Sequence, residues 1–495
     1  MKNKLVFINL IHKRSLSTKQ ALKRYEDLPG PKSYPLIGNL LELKIFGGDL
    51  DFNPFNKFCL NLHQKYGDLV RWSILGENDL YVFKPEHGKI IFQNEGPSPN
   101  RPVVIPWDVY SKRKNYTPGL VNSQGNVWKI QRSASNPIVA KPQSVAMYLN
   151  THNKIIDEFI EILKNKSSNG DSFVIDKFET ELKYVLLEMM SIVAFDQRLE
   201  CIYADKRSPD ILKLFNSIID YGDLTSKLFY SVPLWKFYKN TLWKEFEKNS
   251  DFIYDFTRKY VQESYNNIKN NKSNGDQTML QKYLLHKSNL KLEEIVSIMS
   301  EFLLASFDTT TTTLHFWLHE LATNPDVQEQ IYQEIINIGK TDSYIDSDDL
   351  AKIPLLKASL KESQRLHSIA PTIGRVLAND VVLDGYLIPK NTKVSVAFFV
   401  ISRSEKYYKN PDKYDPKRWL KENQAIDPIN PYTSLPFGFG SRMCIGRRLA
   451  EQKMYLILIK LLKNFKIEFV GRDANSGFRL IVVPAYDLSL KFTPR

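Results

Sequence analysis

Ten residues near the C-terminal end constrain this chain more than any other stretch. They read Phe437-Gly438-Phe439-Gly440-Ser441-Arg442-Met443-Cys444-Ile445-Gly446 and run directly into an amphipathic pattern from Arg447. Glycines at 438, 440 and 446 let a tight loop bring backbone N–H groups towards one sulfur, where a Cβ would crowd the approach. The N-terminus of the following helix adds partial positive charge and favours thiolate over thiol. A thiolate held by amide donors and faced by a flat apolar space is what a haem iron requires of an axial ligand. Cys444 is therefore expected to ligate iron, with Phe437, Gly438 and Gly446 around the cofactor and Arg442 in reach of a haem carboxylate. Cys59 and Cys201 lack such surroundings and read as filler in the core or at the surface. Three cysteines in 495 residues also exclude a disulfide framework and a four-thiolate zinc site, and they fit a reducing compartment.

The loop resembles the haem-binding signature of the cytochrome P450 monooxygenases, and further motifs of that family follow in the right order. Glu362-Ser363-Gln364-Arg365 is similar to its Glu-x-x-Arg. Tyr414-Asp415-Pro416-Lys417-Arg418-Trp419 resembles the later segment whose arginine completes a buried Glu–Arg–Arg cluster. Trp128 and Arg132 stand in its Trp-x-x-x-Arg spacing. The likeness runs from about Leu28 to the C-terminus. It implies a mainly α fold with small β-sheets, haem b sandwiched between a long central helix and the cysteine-bearing loop and helix, and one catalytic domain over 28–495. Glu362 and Arg365 share a helix face. With Arg418 packed against them they are expected to lock the cysteine loop without taking part in chemistry, because a partner lost from a buried trio strands a charge. Trp128, Arg132 and Arg375 are implied as partners of the haem carboxylates.

Hydrophobic periodicity predicts helices near 150–164, 176–195, 245–268, 291–322, 325–338, 354–367 and 447–465. Short strands are expected at 69–74, 79–83, 381–388, 393–396 and near the C-terminus. The 291–322 helix carries Leu303-Leu304-Ala305-Ser306-Phe307-Asp308-Thr309-Thr310. A polar Asp-Thr step inside an apolar run is costly unless it has partners or a task. By resemblance, Asp308 and Thr309 are a general acid and a hydrogen-bonding group for the activation of O2. Ser306 departs from the family, which usually has glycine there. His315 and His319 have a zinc-compatible spacing, but Glu320 follows the second histidine, so the metalloprotease order is absent.

Charge is concentrated at the start of the chain. The formal net charge is +13, and Lys2, Lys4, Lys13, Arg14, Lys19, Lys23 and Arg24 precede any acidic residue. With Ser15, Ser17 and Thr18, and an apolar run too short to span a bilayer, the start of the chain has the pattern of an organelle-targeting presequence, which the resemblance implies is mitochondrial and spans residues 1–27. A basic tail without structure is the other reading. Nothing in the pattern calls for nucleic acid. Lys357 and Lys361 lie four apart on one short helix, and Arg447 and Arg448 follow the cysteine loop. In mitochondrial members of the family, similarly placed basic residues dock an acidic [2Fe-2S] ferredoxin, itself served by a reductase. The resemblance thus implies a protein peripheral to the matrix side of the inner membrane.

The pocket walls implied by the family layout are Val103–Val121, Leu212–Trp235, the Asp308 helix, Ile369–Ile373 and Val482–Tyr486. They are mainly aliphatic and aromatic, as suits a lipophilic small molecule such as a sterol or an apolar foreign compound. Leu228–Trp235 reads as a membrane-dipping segment, a core strand or a pocket lid. Two other functional classes stand beside the monooxygenase. A haem sensor that does not turn over is opposed by the Asp308-Thr309 step, and a haem isomerase or dehydratase by the basic docking patch.

Overall fold

The computed structural model describes residues 21–51, 55–74, 77–167, 170–270, 277–285, 290–339, 344–472 and 476–495. Most of the 1–27 segment, and parts of the polar breaks at 164–170 and 266–275, lie outside the described residues. All seven expected helices form, as Leu149–Lys164, Phe178–Phe195, Thr241–Lys269, Leu292–Thr323, Pro325–Ile336, Pro354–Leu366 and Arg447–Asn464. Their starts follow local chemistry. Asn240 caps one through the Trp243 N–H, and prolines 325 and 354 sit in first turns where a missing N–H costs nothing.

Among the described residues, helices not expected from the sequence include Phe55–Tyr66, Pro85–Gln93, Ile105–Lys114, Gly125–Val139 and Pro209–Tyr230. Gly125–Val139 starts on a glycine at φ +53° and contains Pro137, both poor helix signals that packing overrides. Ser208 caps the last of the five at Ile211 N–H, 3.3 Å away.

The strands make small sheets. One is ordered Leu69–Ile74, Glu77–Val82, Lys393–Val396, Ile373–Val376, with the middle pair parallel. The expected strand at 381–388 is instead a hairpin, Val381–Leu383 with Tyr386–Ile388. Asp384 and Gly385 form its turn, at φ +45° and +82°. Lys23 exchanges backbone hydrogen bonds with this hairpin through Gly385 O and Leu387 N–H. The proline-rich lead-in from Leu28 to Asn39 forms turns and bridges rather than a helix, with Leu28 buried and Gly30 so close to the Arg71 carbonyl that a side chain would not fit.

The central helix Leu292–Thr323 organises the core. Its first half, through Ile295, Met299 and Phe307, joins an apolar cluster with helices Pro209–Tyr230 and Thr241–Lys269. Its second half, through Leu314, Trp317 and Leu321, joins a second cluster with Leu149–Lys164, Phe178–Phe195 and Arg447–Asn464. Each large side chain fully buried there contributes about 1.5–3 kcal/mol. Between the two halves Ala305 is exposed on an otherwise largely buried helix, so the helix lines a hollow at mid-length. No helix among the described residues is long and apolar enough to cross a membrane.

Candidate active site

Cys444 is the exposed one of the three cysteines; Cys59 and Cys201 are buried. Its loop is closed by the Cys444 N–H donating to Phe437 O at 2.8 Å, and Gly438 and Gly440 both take φ +74°. A Cβ at Gly440 would collide with the Glu95 carboxylate. The sulfur is accessible yet ringed by protein, and this desolvation pushes its thiol up. The N–H groups of Gly446 and Arg447 and the guanidiniums of Arg132 and Arg101 pull the other way. Helix Arg447–Asn464 begins at this point, with Gly446 as its cap. Phe437 lies partly buried beside the loop, under the Arg447 guanidinium at 5.4 Å.

Four arginines converge on this hollow. Arg442 donates to Pro99 O, Ser123 O and Gln124 Oε1 and lies 4.1 Å over the Trp128 ring. Arg375 is bonded to Glu95 Oε2 at 2.5 Å and to Phe439 O at 2.9 Å. Arg132 donates to Met443 O at 2.8 Å, while its Nε is buried with no hydrogen-bond partner among the described residues. Arg101 donates twice to Val121 O. Burial pushes Arg442 down to about 9, and the neighbouring Arg101, Arg375 and Arg132 push it further the same way. Arg101 falls to about 10, first through burial and then through Arg375.

Guanidiniums that repel one another and share one ion-paired carboxylate among the described residues, Glu95, call for an anionic ligand. A flat dianion beside an accessible sulfur meets that need. The residues present therefore fit haem b, whose two carboxylates match the arginines and whose iron takes a thiolate.

On the facing helix, the Thr309 hydroxyl donates to Ala305 O at 2.6 Å, next to the exposed Ala305. Ser306 turns its hydroxyl to Leu303 O at 3.1 Å. Asp308 points elsewhere and makes no hydrogen bond to Thr309. It lines a cavity of about 330 Å³ with Glu179, Lys183, Thr312, His315 and Arg479. Burial raises its carboxyl, against the pull of Lys183 and Arg479. His315 is buried with its Nε2 unpartnered, and no group of three metal-ligating side chains occurs among the described residues.

The buried trio is complete. Arg365 grips both Glu362 oxygens at 2.8 and 2.9 Å, and Arg418 donates to Glu362 Oε1 at 2.9 Å. Trp419 Nε1 and the Asp415 N–H bond to the same carboxylate. Arg365 also holds the carbonyls of Ser402 and Pro411. Of the basic pairs, Lys361, Arg447 and Arg448 are exposed and Lys357 is half-buried. Lys357 lies in the field of Glu451, the carboxylate that pairs with Arg447 at 3.0 Å, so both pairs belong to one surface.

Sequence reasoning missed Glu95, Arg101, the bond from Trp419 to Glu362, and the cations Lys183 and Arg479 beside Asp308. Arg101 and Glu95 flank a Gly96-Pro97 turn with no periodic pattern, and Glu95 meets its partner 280 positions later.

A sequence model of the Cytochrome P450 family matches residues 28–492. The chain is 30% identical to Cytochrome P450 CYP12A2 of Musca domestica over 494 aligned positions, covering 95% of this chain and 91% of that protein. It is 28% identical to Cytochrome P450 10 of Lymnaea stagnalis, covering 95% of this chain and 86% of that one. It is 30% identical to the mitochondrial cholesterol side-chain cleavage enzyme of Capra hircus, covering 87% and 83%. An accessible cysteine beneath a ring of arginines, a polar step on the central helix and this family match agree, and the chain belongs to the cytochrome P450 family of haem-b monooxygenases.

Proposed function

We propose that this monooxygenase acts on a lipophilic, sterol-like or foreign small molecule in mitochondria, with electrons from an acidic [2Fe-2S] ferredoxin. The observation that carries the partner assignment is the single basic face formed by Lys357, Lys361, Arg447 and Arg448 around the start of the cysteine-side helix. The relative named as a mitochondrial cholesterol side-chain cleavage enzyme supports the compartment and the substrate class. So does the acid-free basic stretch at the start of residues 1–27, the span assigned as presequence, with 28–495 as the catalytic domain.

In this reading Cys444 would hold the haem iron, with the Gly446 and Arg447 amides favouring its anion against desolvation, and Arg101, Arg132, Arg375 and Arg442 would hold the two haem carboxylates. When bound, haem b supplies the redox chemistry that splits O2 between substrate and water. Thr309 presents a hydroxyl one turn after the exposed Ala305 at mid-length of the central helix, where it orients a hydrogen bond. Asp308 holds a proton at its raised carboxyl and collects it from the cavity it shares with Lys183 and Arg479. Trp107 Nε1, bonded to Thr225 Oγ1 at 3.1 Å, joins two of the apolar walls, and Val482 N–H joins two more through Ile369 O.

Contact with the inner membrane on its matrix side rests on the turn after helix Pro209–Tyr230. Leu228 and Trp235 anchor that turn in the core, while Val232, Leu234 and Phe237 project outward, Phe237 at 85% exposure.

Two experiments test the reading. Thr309→Ala should keep its haem yet release severalfold more hydrogen peroxide per electron consumed, as measured by product and peroxide yields against reducing equivalents. An unchanged product yield refutes the role of the hydroxyl. Reversing charge at Lys357 and Lys361 together should slow ferredoxin-dependent reduction about tenfold at low salt. The gap should close as ionic strength rises, because exposed charges are screened beyond about 8 Å at physiological salt. Equal rates at low salt would remove the docking face.

A further inference from the structure

Glu301 belongs to none of the machinery described so far, yet it is an ionisable side chain buried in the central helix, 8% exposed. It lies one turn before the exposed Ala305. Its Oε2 accepts the Val121 N–H at 2.8 Å, and the Gly119 N–H lies close enough to help lower the carboxyl. Gly119 has to be a glycine, since a Cβ there would press into the Glu301 carboxylate. The peptide chain at this point is gripped from the other side as well. Arg101 donates to Val121 O at 3.0 and 2.6 Å, and Asn122 exchanges two hydrogen bonds with Val104.

We infer that Glu301 is a positioning residue, a latch that fixes the Gly119–Val121 wall of the substrate pocket to the central helix and so sets which ligands the pocket admits. The inference rests on the reading of residues 103–121 as a pocket wall. A carboxylate accepts through charge-assisted bonds roughly twice as strong as those to the neutral carbonyl oxygen that a carboxamide or carboxylic acid offers. Losing the charge should therefore loosen the wall.

The groups facing Glu301 are Arg101, Tyr221 and Tyr254. Burial raises its carboxyl to about 7, against the two amides and Arg101. The latch is closed above that pH and loosens as pH falls through it, because protonation removes the charge that strengthens the bond from the Val121 N–H.

The test uses the haem-loaded enzyme, with Glu301→Gln as mimic of the protonated state and Gly119→Ala as the same disturbance made from the loop side. Hydrogen exchange of the peptide covering 119–121 should quicken at least tenfold in each variant, with the ferrous–carbonyl spectrum unchanged. Free imidazole should bind each variant as it binds the parent, while a bulky aryl azole binds several-fold differently. For Glu301→Gln, the variant-to-parent ratio of the bulky azole Kd should be several-fold at pH 8 and approach one at pH 6. Unchanged exchange at 119–121 overturns the latch. So does normal imidazole binding combined with a bulky-azole ratio of one at pH 8. If imidazole fails to give a nitrogen-ligated spectrum in the parent, the site reading itself falls, and the latch with it.

Discussion

Cys444→Ser is expected to yield a protein whose ferrous–carbonyl complex has lost its thiolate-type Soret band and whose monooxygenase turnover is abolished. The loop around position 444 is built to lower the energy of a negative sulfur: two amide N–H groups and the guanidiniums of Arg132 and Arg101 all act in that direction. Desolvation still outweighs them and leaves the free thiol raised, so the last step to the anion is the loss of the proton on metal binding, which a thiol, with an ordinary pKa of about 8.5, undergoes readily. A serine hydroxyl is a far weaker acid, and the same donors cannot make it an anion. The substitution is nearly isosteric and Gly438 and Gly440 keep their φ angles, so the loop should survive and the spectral change can be read on folded protein. An unchanged thiolate-type band in Cys444→Ser would overturn the ligand assignment.

How much of this site was legible beforehand follows from sequence distance. The cysteine loop and the Glu362–Arg365 pair are local, and their chemistry shows in a few adjacent residues. The long helices were legible for the same reason, since Leu292–Thr323 repeats its apolar face over many turns. Legibility failed where a role depends on residues far apart in the chain. Glu95 became meaningful only when the fold carried it to Arg375, and Arg101 and Glu301 when it carried both to Val121, with separations of 180 or more for the Glu95–Arg375 and Glu301–Val121 pairs. Asp308 and Thr309 show a different limit. Neighbours on a helix point about 100° apart, so residues read as one step serve two spaces: a charged cavity with Lys183 and the hollow beside Ala305. The helix Gly125–Val139 was hidden by its own glycine and proline, which burial of Trp128, Ala134 and Ile138 overrides.

Glu362→Gln should cost more than any other single change in the buried trio. The Glu362 carboxylate receives five donors: Arg365 Nε and NH2, Arg418 Nε, Trp419 Nε1 and the Asp415 N–H. Glu362 and Arg365 are fully buried. Glutamine keeps the volume but offers one acceptor oxygen and turns its NH2 towards donors. It also leaves two guanidiniums without their close counter-charge, since the remaining acid near Arg418 is Asp415 at 4.0 Å. Breaking a buried pair in this way typically costs about 3–5 kcal/mol, enough to take most of the stability of an ordinary domain. Arg418→Ala is milder, because Glu362 keeps Arg365, and the Arg418 side chain is 12% exposed, so water partly replaces it. The expected order is therefore a marginal or haem-free protein for Glu362→Gln and a destabilised but loaded one for Arg418→Ala. Haem per polypeptide and thermal midpoint, measured on both variants expressed side by side, decide it. A Glu362→Gln protein as stable and as fully loaded as Arg418→Ala would show that the cluster is held by backbone and shape, with charge adding little.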